Sequence, residues 1–328
     1  MKKVLFILLL LPIVLYSQPK ESIISTMPGA FSRMGFGPRG IGMGNSFSAV
    51  TEGNLSPYYN PALSAFQEGN FFQASYTFLS LDRALNFISF TRKFDFFSKH
   101  DTTKPKAGAG VTLGLINSGV SHIDGRDDNG NPTGELSTSE NLFFLGIADR
   151  VSSKFAFGIM AKFYHYSLYQ SITSSAFGID IGAVYKINTH FNLAVVFTDI
   201  NTKYKWDSSP IFQEQGTVTE DKFPLLKKIA LSYYNKNIGL LTDVELESSN
   251  AQTNILRAGI EYNIYDNLYI RGGIDQFNLS NGDFPVKPSL GFSYLYDLNG
   301  MKIGVEYAFM IEEYSPSSRN VVGLNFIF

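Results

Sequence analysis

The sequence predicts an all-β protein: a 14-stranded antiparallel transmembrane β-barrel with an N-terminal plug segment in its lumen. Three observations predict it. The 328-residue chain is rich in aromatics (15%) and glycine (29 residues) but holds only 17% charged residues. Such a composition suits a β-protein that turns apolar surface toward something other than water. From Asn70 onward the chain divides into about fourteen segments of alternating apolar and polar residues, each near the length of a tilted membrane-crossing strand. The connections between these segments alternate between long and short, as a membrane barrel requires.

Taken in order, residues 1–17 read as a secretory signal peptide. Met1-Lys2-Lys3 is a basic start, Val4 to Leu15 is an apolar run interrupted by Pro12, and Ser17 is a small residue at a cleavage point. The run is too short for a membrane helix and no stop-transfer pattern follows. No later segment has the ~18 consecutive apolar residues of a spanning helix. Residues 18–69 form the N-terminal segment and plug. Within it, Gly37 to Phe66 is dense in Gly, Ser, Asn and Pro, with Gly42-Met43-Gly44 allowing close backbone approach and Asn60-Pro61 fixing a turn.

Residues 70–328 form the barrel. The expected strands cover 70–81, 84–96, 106–118, 139–150, 154–167, 175–187, 190–201, 224–235, 238–247, 253–263, 266–277, 287–297, 300–311 and 319–328. Late segments show the alternation best. Met301, Ile303, Val305, Tyr307 and Phe309 share one face, and Lys302, Gly304, Glu306 and Ala308 the other. In a soluble sandwich the apolar face turns inward; in a membrane barrel it faces lipid. Scarcity of Lys and Glu, aromatics near strand ends and uniform apolar faces favour the barrel.

Long connections are expected at 119–138, 168–174, 201–223, 279–286 and 312–318. Short turns fall at Ser152-Ser153, Asn188-Thr189, Lys236-Asn237, Tyr265-Asp266 and Leu298-Asn299. An even strand count puts both termini on the periplasmic side and these long connections outside. Two connections depart from the parity: Leu81–Arg83 is a short outer turn and Phe97–Pro105 a long inner one.

Little in the chain suggests catalysis, and no catalytic residue, cofactor or metal is assigned. The absence of cysteine excludes disulfides, thiolate chemistry and lipidation at an N-terminal Cys. His100, His122, His165 and His190 lack metal-site spacing, and there is no G-x-S-x-G elbow or phosphate loop. A formal charge of −2 gives no reason to expect nucleic acid. The loop Asp124 to Asn131 carries carboxylates and amides but does not match an EF-hand, and reads as a solvated loop. Charges on the polar strand faces (Lys162, Asp180, Asp243, Glu245, Arg257, Glu261, Arg271, Asp275, Lys302 and Glu306) imply either a watery lumen or an ion-paired network packed against the plug, and the network is the preferred reading. Trp206, the sole tryptophan, lies in the 201–223 connection and is the candidate for partner binding or for resting at the membrane interface.

Gly40-Ile41-Gly42-Met43-Gly44, Phe47-Ser48-Ala49-Val50 and Tyr58-Tyr59-Asn60-Pro61-Ala62 resemble the start of the PorV/PorQ family of outer-membrane proteins, relatives of the FadL fatty-acid transporters. Thr51 to Asn54 is less acidic than the family pattern, and Leu63 stands where many members have Gly. The resemblance implies a FadL-like barrel in the outer membrane of a Gram-negative bacterium of the Bacteroidetes, with Gly40, Gly42, Gly44, Asn60, Pro61 and Ala62 in a lumen plug. It implies a role in type IX protein secretion, with the extracellular loops binding the translocon or the C-terminal signal domains of cargo. The alternative implied by the FadL branch is a channel for hydrophobic small molecules, against which the charged lumen positions argue. The last strand, with Phe326 and terminal Phe328, resembles the signal read by the barrel assembly machinery.

Overall fold

The computed structural model describes residues 22–97, 105–169 and 172–328. The expected signal peptide, His100 and most of the 97–105 connection lie outside the described residues. Fourteen strands close into one antiparallel barrel. They are β1 (Asn70–Phe78), β2 (Arg83–Phe97), β3 (Pro105–Arg126), β4 (Pro132–Arg150), β5 (Phe155–Tyr169), β6 (Ile172–Lys186), β7 (Phe191–Ile200), β10 (Leu226–Asn235), β11 (Leu240–Ser249), β12 (Asn254–Tyr265), β13 (Leu268–Asn278), β14 (Lys287–Leu298), β15 (Met301–Met310) and β16 (Arg319–Ile327). Between β7 and β10 the chain forms a separate hairpin of β8 (Lys203–Asp207) and β9 (Val218–Lys222). Closure joins β1 to β16, with Asn70 and Phe328 exchanging backbone hydrogen bonds of 2.8 and 3.0 Å.

Alternation puts Leu113, Leu145, Ile159, Phe177, Ile181 and Leu324 on the outer surface, each with 43–58% of its area exposed. Large apolar side chains exposed in this pattern right round a closed barrel are a lipid-facing band, since no soluble sheet presents its greasy face to water. Phe96, Phe97, Tyr262, Tyr265, Tyr294 and Tyr296 are exposed toward the short-turn end of the barrel, where aromatic rings mark a membrane boundary.

Two expected long connections are structured differently. The 119–138 stretch is mostly ladder: β3 and β4 continue as a ribbon through Ile123↔Leu136 and Gly125↔Gly134, with the turn confined to 127–131. At 22 residues β3 runs for about 70 Å, far beyond the need of a bilayer, so the ribbon stands clear of the barrel. Polar strand residues such as Ser121, Glu135 and Ser137 resemble a loop in sequence because no apolar face marks strand outside lipid. The 168–174 connection shrinks because β5 runs to Tyr169 and β6 resumes at Ile172.

The N-terminal segment threads the lumen from end to end. Ser22 to Met34 cross the mouth at the long-connection end, where Ser22 Oγ donates to Ala251 O at 2.9 Å and Arg319 Nη1 to Met34 O at 2.5 Å. Gly37 to Thr51 and Leu55 to Gln67 are then almost wholly buried inside the barrel. The segment leaves at the short-turn end, where Gly69 meets Phe328. The expectation that both chain ends sit on the short-turn side therefore holds for Phe328 but not for the first described residues. Strand parity fixes only where β1 starts; the polar, aromatic mouth holds the segment that precedes it.

Candidate functional site

Each glycine of the Gly40–Gly44 run faces a different neighbour. Gly40 lies under the Tyr59 ring, Gly42 faces Gly291 of β14, and Gly44 adopts φ 62° against the backbone of β13 at Gly273–Ile274. Only a residue without a Cβ fits the Gly44 position, because it combines left-handed backbone with backbone contact. Asn60 caps the short helix Pro61–Phe66: its Oδ1 accepts from Ala62 N–H at 3.0 Å. Its Nδ2 donates to Ser48 O at 2.8 Å and to Ala183 O on the β6 wall at 3.4 Å. Pro61 and Ala62 press on Gly158 of β5. The six plug-motif residues thus lie together in the lumen and touch opposite walls.

One side of the plug is tied to the wall by charge. Arg39 donates two bonds to Glu261, of 2.8 and 2.7 Å, and Arg271 donates to the same carboxylate at 2.5 Å. Asn45 Nδ2 donates to Asp275 at 2.8 Å, Ser46 to Asp243 at 2.7 Å, and Ser48 to Glu245. Behind them Arg257 bridges Asp275, Glu245 and Glu247, and Lys228 reaches Glu245 and Glu247. A buried charge needs such a partner. A further group, Lys162 with Asp180 at 2.7 Å and Asp199 at 3.3 Å, closes the network on β5–β7. Among the ten charges expected to line the lumen, Lys302 is exposed near the short-turn end of β15, and Asp243 has no ion pair among the described residues.

The other side of the plug meets an apolar wall. Leu85 and Phe87 on β2, Ile116 on β3, Leu142 and Phe144 on β4 and Met160 on β5 all point inward and are buried. Plug residues Phe36 and Tyr58 pack on them, with ring centroids 5.3 Å from Phe36 to Phe87 and 5.3 Å from Tyr58 to Phe144. The column continues toward the mouth through Phe31, Tyr164, Phe223 and Tyr204, with Tyr164 4.7 Å from Phe223 and Tyr204 5.0 Å from Phe223. Most buried lumen charge lies on β10–β16, whereas β2–β5 carry the aromatic track. A lumen counted residue by residue looks charged throughout; the circular order of strands sorts it into two arcs.

Trp206 stands on β8, and its ring packs 5.4 Å from both Tyr166 and Tyr204. Its indole N–H donates to Asp221 at 2.9 Å. The β8–β9 hairpin leans inward over the mouth, held by Ser174 Oγ to Lys205 O at 2.9 Å, so Trp206 faces the mouth and not the lipid. Sequence reasoning singled out Trp206 but missed Tyr166, Tyr204 and Glu140 beside it. At the 127–131 turn Asp127 accepts from Asn129 N–H and Asn131 N–H. A further bond from the Asn131 side chain, with those backbone bonds, holds its carboxyl below the ordinary range. Those bonds organise the turn as a solvated loop. Phe326 lies beside Phe72 at the barrel seam, with ring centroids 6.1 Å apart, and Phe328 is exposed 6.5 Å from Phe90.

No protein-family model matches the chain, and no curated protein matches it in sequence. Solved structures match its fold. The toluene transporter TodX of Pseudomonas putida is 15% identical over 89% of this chain and 96% of its own, with a TM-score of 0.57. The toluene transporter TbuX of Ralstonia pickettii is 12% identical over 89% and 97%, with a TM-score of 0.55. A Pseudomonas aeruginosa FadL homologue is 11% identical over 89% and 97%, with a TM-score of 0.53. At these identities the likeness is one of fold: a FadL-like barrel of fourteen strands.

Proposed function

We propose that the chain is an outer-membrane channel that admits hydrophobic small molecules through the apolar arc of its lumen, with the long connections outside. The observation that carries the reading is the buried aromatic track from Tyr204 and Phe223 at the mouth to Phe87 and Phe144 beside the plug. An apolar solute that takes the place of Phe36 and Tyr58 on this wall buries its own surface there, which offsets the contacts that they give up. The plug is held by ion pairs on the opposite arc, so it can yield on its apolar side while remaining attached. Structural likeness to proteins described as toluene transporters supports this reading. The test is uptake of a monoaromatic hydrocarbon by cells with and without the chain. Equal uptake by the two strains overturns the proposal.

A second reading follows from the PorV/PorQ-like motif and from the β3–β4 ribbon, whose edges beyond Val120 and Thr138 have no neighbouring strand among the described residues. Free edges invite added strands. In this reading the ribbon and the 201–223 connection bind a type IX translocon or cargo signal domains, and the Phe326–Phe328 end is read by the barrel assembly machinery. Pull-down of the tagged chain from native membranes tests it. Recovery of neither translocon nor cargo, or equal recovery after trimming both connections, counts against it.

A further inference from the structure

A cleft of about 430 Å³ opens at the mouth between the N-terminal strap of residues 22–34, the long-connection ends of β4–β6 and the inner face of the β8–β9 hairpin. Hairpin register decides what faces it. Tyr204 pairs with Asp221 and Trp206 with Thr219, so these four share one face, whereas Lys203, Lys205 and Lys222 alternate onto the other. Lys203 is further held there by Glu220 at 2.8 Å. The hairpin therefore turns aromatic rings and a carboxylate inward and its lysines outward.

Across the cleft stand Tyr166 and Glu140. Glu140 stands beside the Tyr166 hydroxyl and has no ion pair among the described residues. Arg33, the cation nearest in effect, is turned to the carbonyls of Pro28, Ile24 and Met27. Among the described residues Asp221 receives only the Trp206 indole N–H as a side-chain donor. Tyr204 is 1% exposed, and its hydroxyl has no partner among the described residues. A polar group buried in that way carries a desolvation cost that a bound ligand would relieve.

Aromatic rings, two carboxylates with no cation paired to them among the described residues and a buried phenol with no partner among them suit a ligand that is both apolar and positively charged. We propose that the cleft binds an organic ammonium ion, a hydrophobic amine or quaternary ammonium compound, as the first station above the aromatic track. The inference rests on the channel reading and narrows its substrate class. The faces of Trp206 and Tyr166 attract the cation through their quadrupoles while Tyr204 packs behind them, and Asp221 supplies the counter-charge together with Glu140, whose carboxyl burial raises to about 7 and a bound cation would draw back down.

Trp206 is the only tryptophan, so its fluorescence reports on the cleft directly. Purified full-length protein in detergent is titrated with benzyltrimethylammonium and, separately, with its neutral isostere neopentylbenzene. The expected result is a saturable Trp206 response, with the cation bound about tenfold more tightly than the isostere. In the Glu140→Gln, Asp221→Asn double variant that ratio falls to about one. Circular dichroism of the ligand-free variant should match the parent, which separates lost recognition from lost folding. Equal affinity for both probes in the parent overturns the ammonium assignment and leaves a hydrophobic channel standing. Absence of any Trp206 response overturns the assignment of this cleft, while the channel reading is judged separately by hydrocarbon uptake.

Discussion

Arg39 of the plug and Glu261 of β12 are joined by two charge-assisted hydrogen bonds of 2.8 and 2.7 Å, and both side chains are almost fully buried. The same guanidinium donates to the carbonyls of Glu52 and Asn54, at 2.9 and 2.6 Å. One residue thereby fixes the fold of the plug and its attachment to the wall. Glu261→Gln leaves Arg39 and Arg271 buried without their shared counter-charge. The expected loss is about 3–5 kcal/mol of stability, read from urea unfolding in detergent, together with faster leakage of small solutes from proteoliposomes. An unchanged midpoint would show that the pair does not anchor the plug.

Gly182 on β6 lies where a Cβ would overlap the amide of Asn60. Gly182→Ala should therefore displace the plug and lower heat resistance. Asn60→Ala alone loses the helix cap, at about 1 kcal/mol, and the bonds to Ser48 and Ala183. Combined, the two changes should cost less than their sum, because shortening Asn60 removes the clash. Strict additivity of the melting shifts would argue against contact between the two positions.

Phe31 inserts its ring beside Tyr164, 6.2 Å between centroids, and holds the strap over the aromatic track. Phe31→Ala should cost about 3 kcal/mol through the cavity it leaves. On the channel reading it should also speed entry of a hydrophobic probe while leaving entry of a hydrophilic one unchanged. Equal acceleration of both would indicate general loosening of the plug.

The β8–β9 hairpin gives a pH-dependent expectation. The Lys203 ammonium, hydrogen-bonded and 2.8 Å away, holds the Glu220 carboxyl below its ordinary value. A carboxylate depressed in the folded state stabilises at pH above its unfolded value, about 4.3, and loses that contribution as pH falls through the folded one. Burial lifts the Glu140 carboxyl in the cleft beside Trp206 to about 7, so the readout is taken in the Glu140→Gln background, where Trp206 emission should hold steady from pH 8 to about 5 and change only below the ordinary glutamate range. Glu220→Gln should abolish the part of the acid transition that belongs to this pair.

All fourteen barrel strands are legible in the chain, because a strand's two faces are written into alternate residues and lipid demands apolar side chains on one of them. The same reasoning fails where lipid ends. Ser121 and Glu135 are polar, so the ladder that they continue looks like loop, and the Lys203–Asp207 strand is too short to signal itself. The motif Gly40 to Gly44 and Asn60 to Ala62 marks the plug, yet nothing local says that Gly44 meets Ile274 or Asn60 meets Ala183.

By itself, then, the sequence determined the strands, their outward faces and the residues able to approach backbone closely. Closure of the barrel decided the rest. It set Glu261 against Arg39 across 222 positions of chain and placed Phe36 on Phe87. It also carried Ser22 to the mouth opposite Phe328. Inward-facing residues of each strand carry no label for the arc they will occupy. Only the circular order of fourteen strands separates a charged arc that holds the plug from an aromatic arc that a hydrophobic solute can follow.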